Sequence, residues 1–243
     1  MLRPDSLFAV HRAPVKAAMS LLPTPLPLQP RKLAAAFLLF VAGPLAAQSP
    51  ATHEHGFRDA EKWAQVFDDP ARDAWQKPHD VIEALSLKPD AVVADIGAGT
   101  GYFASRLASM LPRGRVYAID VEPDMVKYLA ERAQREGRRN LIAVAAKPDD
   151  PRLPDKIDLL LLVDVYHHID AREQYLRRLR PALKPGGRIA IIDFRLDSPG
   201  GPPRQARIAP EQVKAELARA GYTLYEEHSF LPRQYFLVFH AAE

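Results

Sequence analysis

The chain of 243 residues contains no cysteine. That excludes disulfides, thiolate-bound metals and a cysteine nucleophile. It also lacks an apolar run of membrane-spanning length. Leu33 to Val41 falls short of the roughly 20 residues a span needs, and Pro44 breaks the pattern soon after it. A real charge excess is missing too. The net charge is +3, but residues 1–47 hold five Lys or Arg against one acid, Asp5, which leaves 28 basic and 29 acidic residues elsewhere. A basic leader on a neutral body gives no case for nucleic acid. What is present is 47% hydrophobic residues, enough for one real core plus an extra tail.

The tail reads as a targeting segment. Arg31-Lys32 precedes the apolar run, and Gly43-Pro44 and Ala46-Ala47 come after it. That is the charged, apolar, small-residue order of a secretory signal. Cleavage is expected after Ala47, although Leu45 is bulky for its position, and Met19 is an alternative start. The organisation expected is a leader over 1–47, a linker over 48–56 and one domain over 57–243, with leading helices at 57–88 and the core at 89–243. Export to the periplasm or medium is the expectation, with a membrane anchor or a cytoplasmic location as alternatives. A cysteine-free chain tolerates an oxidising compartment. His53-Glu54-His55 offers two ligands in a flexible stretch, too little for a metal site, and no metal is expected.

The most informative run is Asp95-Ile96-Gly97-Ala98-Gly99-Thr100-Gly101-Tyr102. An apolar strand pattern precedes it and a helical one succeeds it (Phe103, Leu107, Leu111). A strand, glycine loop and helix let a ligand touch main chain, because glycine has no Cβ to hold it off. The dinucleotide fingerprint G-x-G-x-x-G fits imperfectly, since the third glycine comes one residue early at Gly101. A second strand ends in Asp120, 19 residues after Gly101, and a carboxylate there can accept both hydroxyls of a ribose. Asp95 and Asp120 together point to a nucleoside without requiring a pyrophosphate.

Asp-x-Gly-x-Gly-x-Gly followed by a hydrophobic strand ending in Asp resembles the class I S-adenosylmethionine-dependent methyltransferases. The resemblance runs from about Asp69 to His240. It implies S-adenosylmethionine as cofactor. Asp95 and the backbone of Gly97, Ala98, Gly99 and Gly101 would meet its methionine part. Asp120 would bind the ribose, and Val121 and Met125 would lie against adenine. Ala146-Lys147-Pro148-Asp149-Asp150 would hold the adenine edge, with Lys147 standing where many relatives carry an acid and Asp149 or Asp150 as its replacement. Asp164 would border the cofactor as well as the acceptor. The absence of cysteine argues against the arsenite-methylating branch. A sulfonium cation with an α-amino group suits Asp95, and helix N–H groups suit its carboxylate.

Strands and helices alternate after Val92. Strands are expected at Val92–Asp95, Arg115–Asp120, Leu141–Ala145, Ile157–Val163 and Arg188–Asp193. Helices are expected at Phe57–Phe67, Ala71–Leu85, Tyr102–Leu111, Asp124–Glu136, Arg172–Leu183 and Pro210–Ala220. Tyr222–Phe230 and Tyr235–His240 are strand-like, and the four residues between them are too few for a parallel crossover. The expected fold is α/β: a doubly wound, Rossmann-like seven-stranded sheet of five parallel strands and a C-terminal antiparallel hairpin, with helices on both faces. A nicotinamide-binding domain would continue with parallel units instead.

Ligands of such sheets sit beyond the carboxyl ends of the strands. Asp164-Val165-Tyr166-His167-His168 comes after the fourth strand, so Asp164, Tyr166 and His167 are the catalytic candidates, with His168 beside them. A base is needed only where the acceptor must lose a proton. Trp75, Gln76, Lys77 and His79 are candidates for a lid. Asp193, Arg195, Arg204, Arg207 and the turn Leu231-Pro232-Arg233-Gln234 face the same rim, with Arg195 a candidate for an anionic acceptor. Leu183-Lys184-Pro185-Gly186-Gly187-Arg188 reads as a structural turn. The expected activity is methyl transfer to a small molecule. The alternatives are a non-catalytic S-adenosylmethionine-binding or regulatory protein and a nicotinamide oxidoreductase. An Asn/Asp-Pro-Pro-aromatic motif, the mark of nucleic-acid methylation, is missing after the fourth strand. Nothing in the sequence fixes an oligomeric state.

Overall fold

The computed structural model describes residues 56–242. The leader expected over 1–47, nearly all of the expected linker over 48–56 and His53-Glu54-His55 lie outside the described residues.

Among the described residues, seven strands form one sheet in the order β3-β2-β1-β4-β5-β7-β6. They are β1 Val92–Ile96, β2 Arg115–Asp120, β3 Leu141–Ala145, β4 Ile157–Val163, β5 Leu183–Phe194, β6 Tyr222–His228 and β7 Gln234–Ala241. The first five are parallel, and β7 runs antiparallel between β5 and β6. The sheet expected from the sequence is therefore the one observed.

Among the described residues, seven α-helices accompany it: α1 Ala60–Phe67, α2 Asp73–Gln76, α3 Pro78–Ala84, α4 Tyr102–Met110, α5 Pro123–Arg135, α6 Arg172–Leu179 and α7 Pro210–Arg219. Residues on alternate sides of a strand face opposite ways. In β4, Leu159, Leu161 and Val163 pack with Val81, Phe103, Leu107 and Leu129 from α3, α4 and α5. Leu160 and Leu162 pack with Leu176, Leu179, Val213 and Leu217 from α6 and α7. Leu159 to Leu162 are fully buried, which explains an unbroken leucine run in a strand covered on both faces. Each such side chain contributes about 1.5–3 kcal/mol by leaving water.

Several boundaries differ from the sequence reading, four of them by enough to matter. The first helix starts at Ala60, capped by Asp59, whose carboxylate accepts from the Lys62 N–H. Ala71–Leu85 is not one helix: a 3₁₀ turn at Pro70–Arg72 leads to α2, and Lys77 then takes a left-handed φ of 44° before α3. Pro78 is the cause, because proline lacks an N–H and disfavours helical geometry in the residue before it. The helix expected to reach Leu183 ends at Leu179, and a 3₁₀ turn over Arg180–Ala182 carries Pro181. The strand assignment then starts at Leu183, with a register break against β4 between Ile157 and Leu159. The stretch Leu183–Arg188, expected as a turn, is the start of β5, and a Cβ at Gly187 would lie 2.9 Å from the Ile157 carbonyl oxygen.

Candidate active site

Four acids stand at the carboxyl ends of four adjacent parallel strands: Asp120 on β2, Asp95 on β1, Asp164 just past β4 and Asp193 on β5. The fold thus lines carboxyl groups along one rim.

Gly97, Gly99 and Gly101 have φ of +70°, +57° and +93°, a left-handed path that side chains with a Cβ rarely follow. The Gly97 and Ala98 N–H groups both donate to the Ile119 carbonyl, at 2.8 and 2.9 Å, which pins the loop across the top of β2. Asp120 is oriented in turn: it accepts the Gly99 N–H at 2.8 Å and the Glu122 N–H at 3.0 Å. Burial raises its carboxyl affinity for protons, and the Glu122, Gly99 and Val121 N–H groups oppose that. Asp95 is buried and has no side-chain partner among the described residues. Burial pushes its carboxyl up to about 7, the Asp120 charge adds to the rise, and Arg72 and the Ala104 N–H work against it.

These residues fit the cofactor implied by the motif. A buried carboxyl lacking a side-chain partner is matched by a ligand ammonium. A carboxylate has about four acceptor sites. The two N–H bonds to Asp120 leave capacity for a ribose diol. Val121 is half exposed on the rim, while Met125 is fully buried beneath it. Lys147 and Asp149 behave differently. Lys147 is in a tight turn, exchanging backbone bonds with Asp150, and its side chain is exposed. Asp149 pairs with Arg178 at 3.2 Å, which draws it toward α6. No hydrogen bond or ion pair joins either side chain to Asp120 or the glycine loop among the described residues.

The other half of the rim centres on Asp164. The side-chain amides of Gln76 and Gln234 donate to its two oxygens, and Arg72 lies 3.5 Å away. Burial and the Asp193 charge push Asp164 up to about 6, against the pull of Arg72, the Gln76 bond and His167. His167 is buried, with Nδ1 2.9 Å from Asp193 Oδ2. A carboxylate can only accept, so Nδ1 carries the proton and Nε2 keeps its lone pair in the neutral ring. Burial lowers the proton affinity of His167, but the hydrogen bond and charge of Asp193, helped by Asp164, outweigh it and raise the net value. His168 lies against His167, the ring centroids 4.1 Å apart and the planes tilted by 39°.

Tyr166 is the candidate that the fold takes away. Its hydroxyl donates to Glu216 at 2.6 Å, on the α6–α7 face of the sheet. Glu216 also binds Arg172, at 2.7 and 2.9 Å. The buried phenol sits in a satisfied structural network, and burial with the Glu216 charge pushes its pKa far up. Arg195 is likewise spent on structure: its guanidinium donates to the carbonyls of Leu231, Gln234 and Pro232. His79 is exposed and pairs loosely with Glu83 at 3.9 Å, on the surface.

Arg72 and Phe67 escaped the sequence reading. Arg72 lies over the Tyr102 ring at 4.3 Å, donates to the Phe67 carbonyl and reaches Asp164. Phe67 packs beside Gly99, its ring 3.4 Å from where a Cβ would stand. Phe67 stacks on Trp63 at 5.3 Å and meets Phe57 at 5.8 Å, and Phe57 touches His168 at 5.9 Å. An aromatic cap thus covers the glycine loop. The Arg72–Gln76 spacing, one helical turn, was the available signal.

Comparison with known proteins agrees with this geometry. Residues 94–189 match a family model described as a methyltransferase domain. A ubiquinone/menaquinone biosynthesis C-methyltransferase of Ectopseudomonas mendocina (strain ymp) is 30% identical over 177 residues, covering 64% of this chain and 68% of the relative. Demethylspheroidene O-methyltransferase of Rhodobacter capsulatus is 28% identical over 206 residues, covering 78% of this chain but 48% of its own length. A protein-L-isoaspartate O-methyltransferase of Aeropyrum pernix is 30% identical over 115 residues, or 42% of its length, so this chain spans under half of those two relatives. Among solved structures, a SAM-dependent methyltransferase from Aquifex aeolicus superposes with a TM-score of 0.71 at 27% identity, over 76% of this chain and 99% of that one. With a glycine loop between two strand-end acids, the five-plus-two sheet and a methyltransferase relative 30% identical over 68% of its length, the chain belongs to the class I S-adenosylmethionine-dependent methyltransferases.

Proposed function

We propose that the chain methylates a small-molecule acceptor that must lose a proton, with His167 as the base and Asp193 holding it. The observation that carries this reading is the buried His167–Asp193 pair at 2.9 Å, two strands from Asp95 on the same rim. When bound, S-adenosylmethionine supplies a methyl group on a positively charged sulfur. Asp95 holds the α-ammonium group, Asp120 the ribose and the Gly97–Gly101 backbone the main-chain side of the ligand. The aromatic cap of Phe57, Trp63 and Phe67 keeps water from the crevice. Asp193 fixes the His167 tautomer, so Nε2 accepts the acceptor's proton. Asp164 stabilises the imidazolium that forms, and Arg72, Gln76 and Gln234 keep Asp164 in place. Holding both reactants in line supplies much of the rate, and a positioned base adds roughly 10²–10⁴-fold.

A neutral body argues for a small molecule over nucleic acid. No helix among the described residues is long and apolar enough to cross a membrane. The Arg31–Ala47 pattern supports export to the periplasm or medium. Fractionation of a C-terminally tagged chain tests that, and full-length cytosolic protein would sink it. The activity itself is tested by following S-adenosylhomocysteine release over a panel of hydroxylated and amino acceptors. Cofactor binding without turnover on any member would favour a regulatory protein.

A further inference from the structure

The rim holds many arginines, and most are committed. Arg195 binds three carbonyls, Arg207 binds the carbonyls of Pro202, Arg195, Leu196, Ser198 and Gly200, and Arg72 serves Asp164 and Phe67. Arg233 is not. It is half-buried on the β6–β7 turn and has no carboxylate or carbonyl for its guanidinium among the described residues. The Trp75 ring lies 5.1 Å from the guanidinium carbon, and Nη1 stands 3.7 Å from where a Cβ on Gly200 would be. Trp75 in turn leans on Phe194 at 5.6 Å, and Phe194 directly follows Asp193, the partner of His167. Arg72 approaches the same ring at 6.0 Å, which ties this cluster to Asp164. Lys77, also without an anion among the described residues, lies 6.0 Å from the Phe230 ring on the same turn that bears Arg233.

A half-buried guanidinium costs desolvation that an aromatic face offsets only in part. Its five donors lie in a plane that matches a carboxylate in bidentate fashion. Here that plane is held beside an indole that Arg72 also approaches, and Arg72 reaches Asp164 on the rim. Resting on the methyltransferase reading above, we propose that Trp75, Phe194 and Arg233 form the acceptor subsite, and that the acceptor is a hydroxylated aromatic acid. Its ring stacks with Trp75 and Phe194, its carboxylate takes Arg233 with Lys77 nearby, and its hydroxyl faces His167. The side chains that the family motif places on the cofactor are not part of this cluster.

The test is calorimetric titration of the full chain with 4-hydroxybenzoate and with 4-hydroxybenzamide, its neutral counterpart. Each titration is run with and without S-adenosylhomocysteine. The acid should bind at least about tenfold tighter, the strength of one good charge-assisted pair. Arg233→Gln should erase the difference between acid and amide, Arg233→Lys should keep part of it, and Trp75→Ala should weaken both ligands. S-Adenosylhomocysteine affinity and circular dichroism show that each variant is folded. Equal binding of the two ligands, or binding of neither, by folded wild-type protein overturns the subsite. Loss of S-adenosylhomocysteine binding alone would instead tell against the cofactor reading, because the acid–amide comparison stands without it.

Discussion

Arg132 Nη1 reaches both carboxylate oxygens of Asp68, at 3.0 and 2.9 Å, and donates to the Thr100 carbonyl at 2.9 Å. One guanidinium thereby ties the end of α1 to the glycine loop, while the Asp59 N–H ties its start to Asp124 of α5 at 3.0 Å. The aromatic cap over Gly99 hangs from these two links. Asp68→Asn should loosen it. The pair is mostly shielded, so about 1–2 kcal/mol is at stake, or roughly tenfold in affinity. Cofactor affinity by calorimetry should fall by about that factor, and α1 amides should exchange faster, with the β1 and β4 amides unchanged. Unaltered exchange in α1 would show that the aromatic packing alone holds the cap.

The Asp95 carboxyl titrates at about 7 without ligand. A bound ammonium favours the charged form, so binding releases a proton below that pH, and affinity should drop up to about tenfold per pH unit as pH falls from about 7. Calorimetry in buffers of different ionisation enthalpy reads that proton directly. The stability sign is opposite. A raised acid pKa favours the folded state below 3.8, and this advantage is lost as pH rises from 3.8 through about 7. Asp95→Asn should therefore raise the melting temperature of cofactor-free protein at about pH 8 by several degrees, on the order of a few kcal/mol, while weakening cofactor binding. A variant less stable than wild type at that pH would show that the carboxylate has a partner worth more than its burial penalty.

His167 is held above its ordinary 6.5, and as a base it must be neutral. The acid limb of the kcat profile should therefore lie above pH 6.5, falling as pH drops through the raised value. Asp193→Asn should move that limb to lower pH and reduce the plateau, because the asparagine amide no longer enforces one tautomer or balances the imidazolium. His167→Gln should lose roughly 10²–10⁴-fold in kcat with modest change in KM. A kcat profile flat from about pH 5 to 9 would leave His167 a structural residue.

The parts legible in sequence share a cause. Asp95, Gly97–Gly101 and Asp120 lie on one strand, the loop after it and the end of the next strand, so local spacing alone places them on one rim. The terminal hairpin was legible because its connection is too short to cross over. The misreadings arise where distant packing decides. Whether Tyr166 faces the rim or α7 depends on Glu216, 50 residues away. Arg72 enters the site because Pro70 and Pro78 fold the leading helices back over Tyr102, and nothing in the neighbouring residues states that destination. Asp149 follows Arg178 of α6, a partner that only the fold supplies.

Gly97 and Gly137 offer a controlled comparison, because both have left-handed φ, +70° and +63°. An alanine at either position carries the backbone penalty of about 1–2 kcal/mol. Around Gly137 nothing lies within 4 Å of the added Cβ, whereas at Gly97 it would stand 2.3 Å from Val165 Cγ2. Valine is stiff about χ1 and cannot swing aside cheaply. Overpacking should add about 1–3 kcal/mol at Gly97 alone. Val165 lies between Asp164 and the His167 turn, so the displaced segment carries the base as well as the crevice wall. Gly137→Ala should thus shift urea unfolding modestly and leave kcat intact. Gly97→Ala should cost more stability and lower both cofactor affinity and kcat. The double variant Gly97→Ala/Val165→Ala should recover part of the stability, since the added methyl then has room. If it recovers none, the left-handed backbone, not the contact with Val165, sets the penalty at this position.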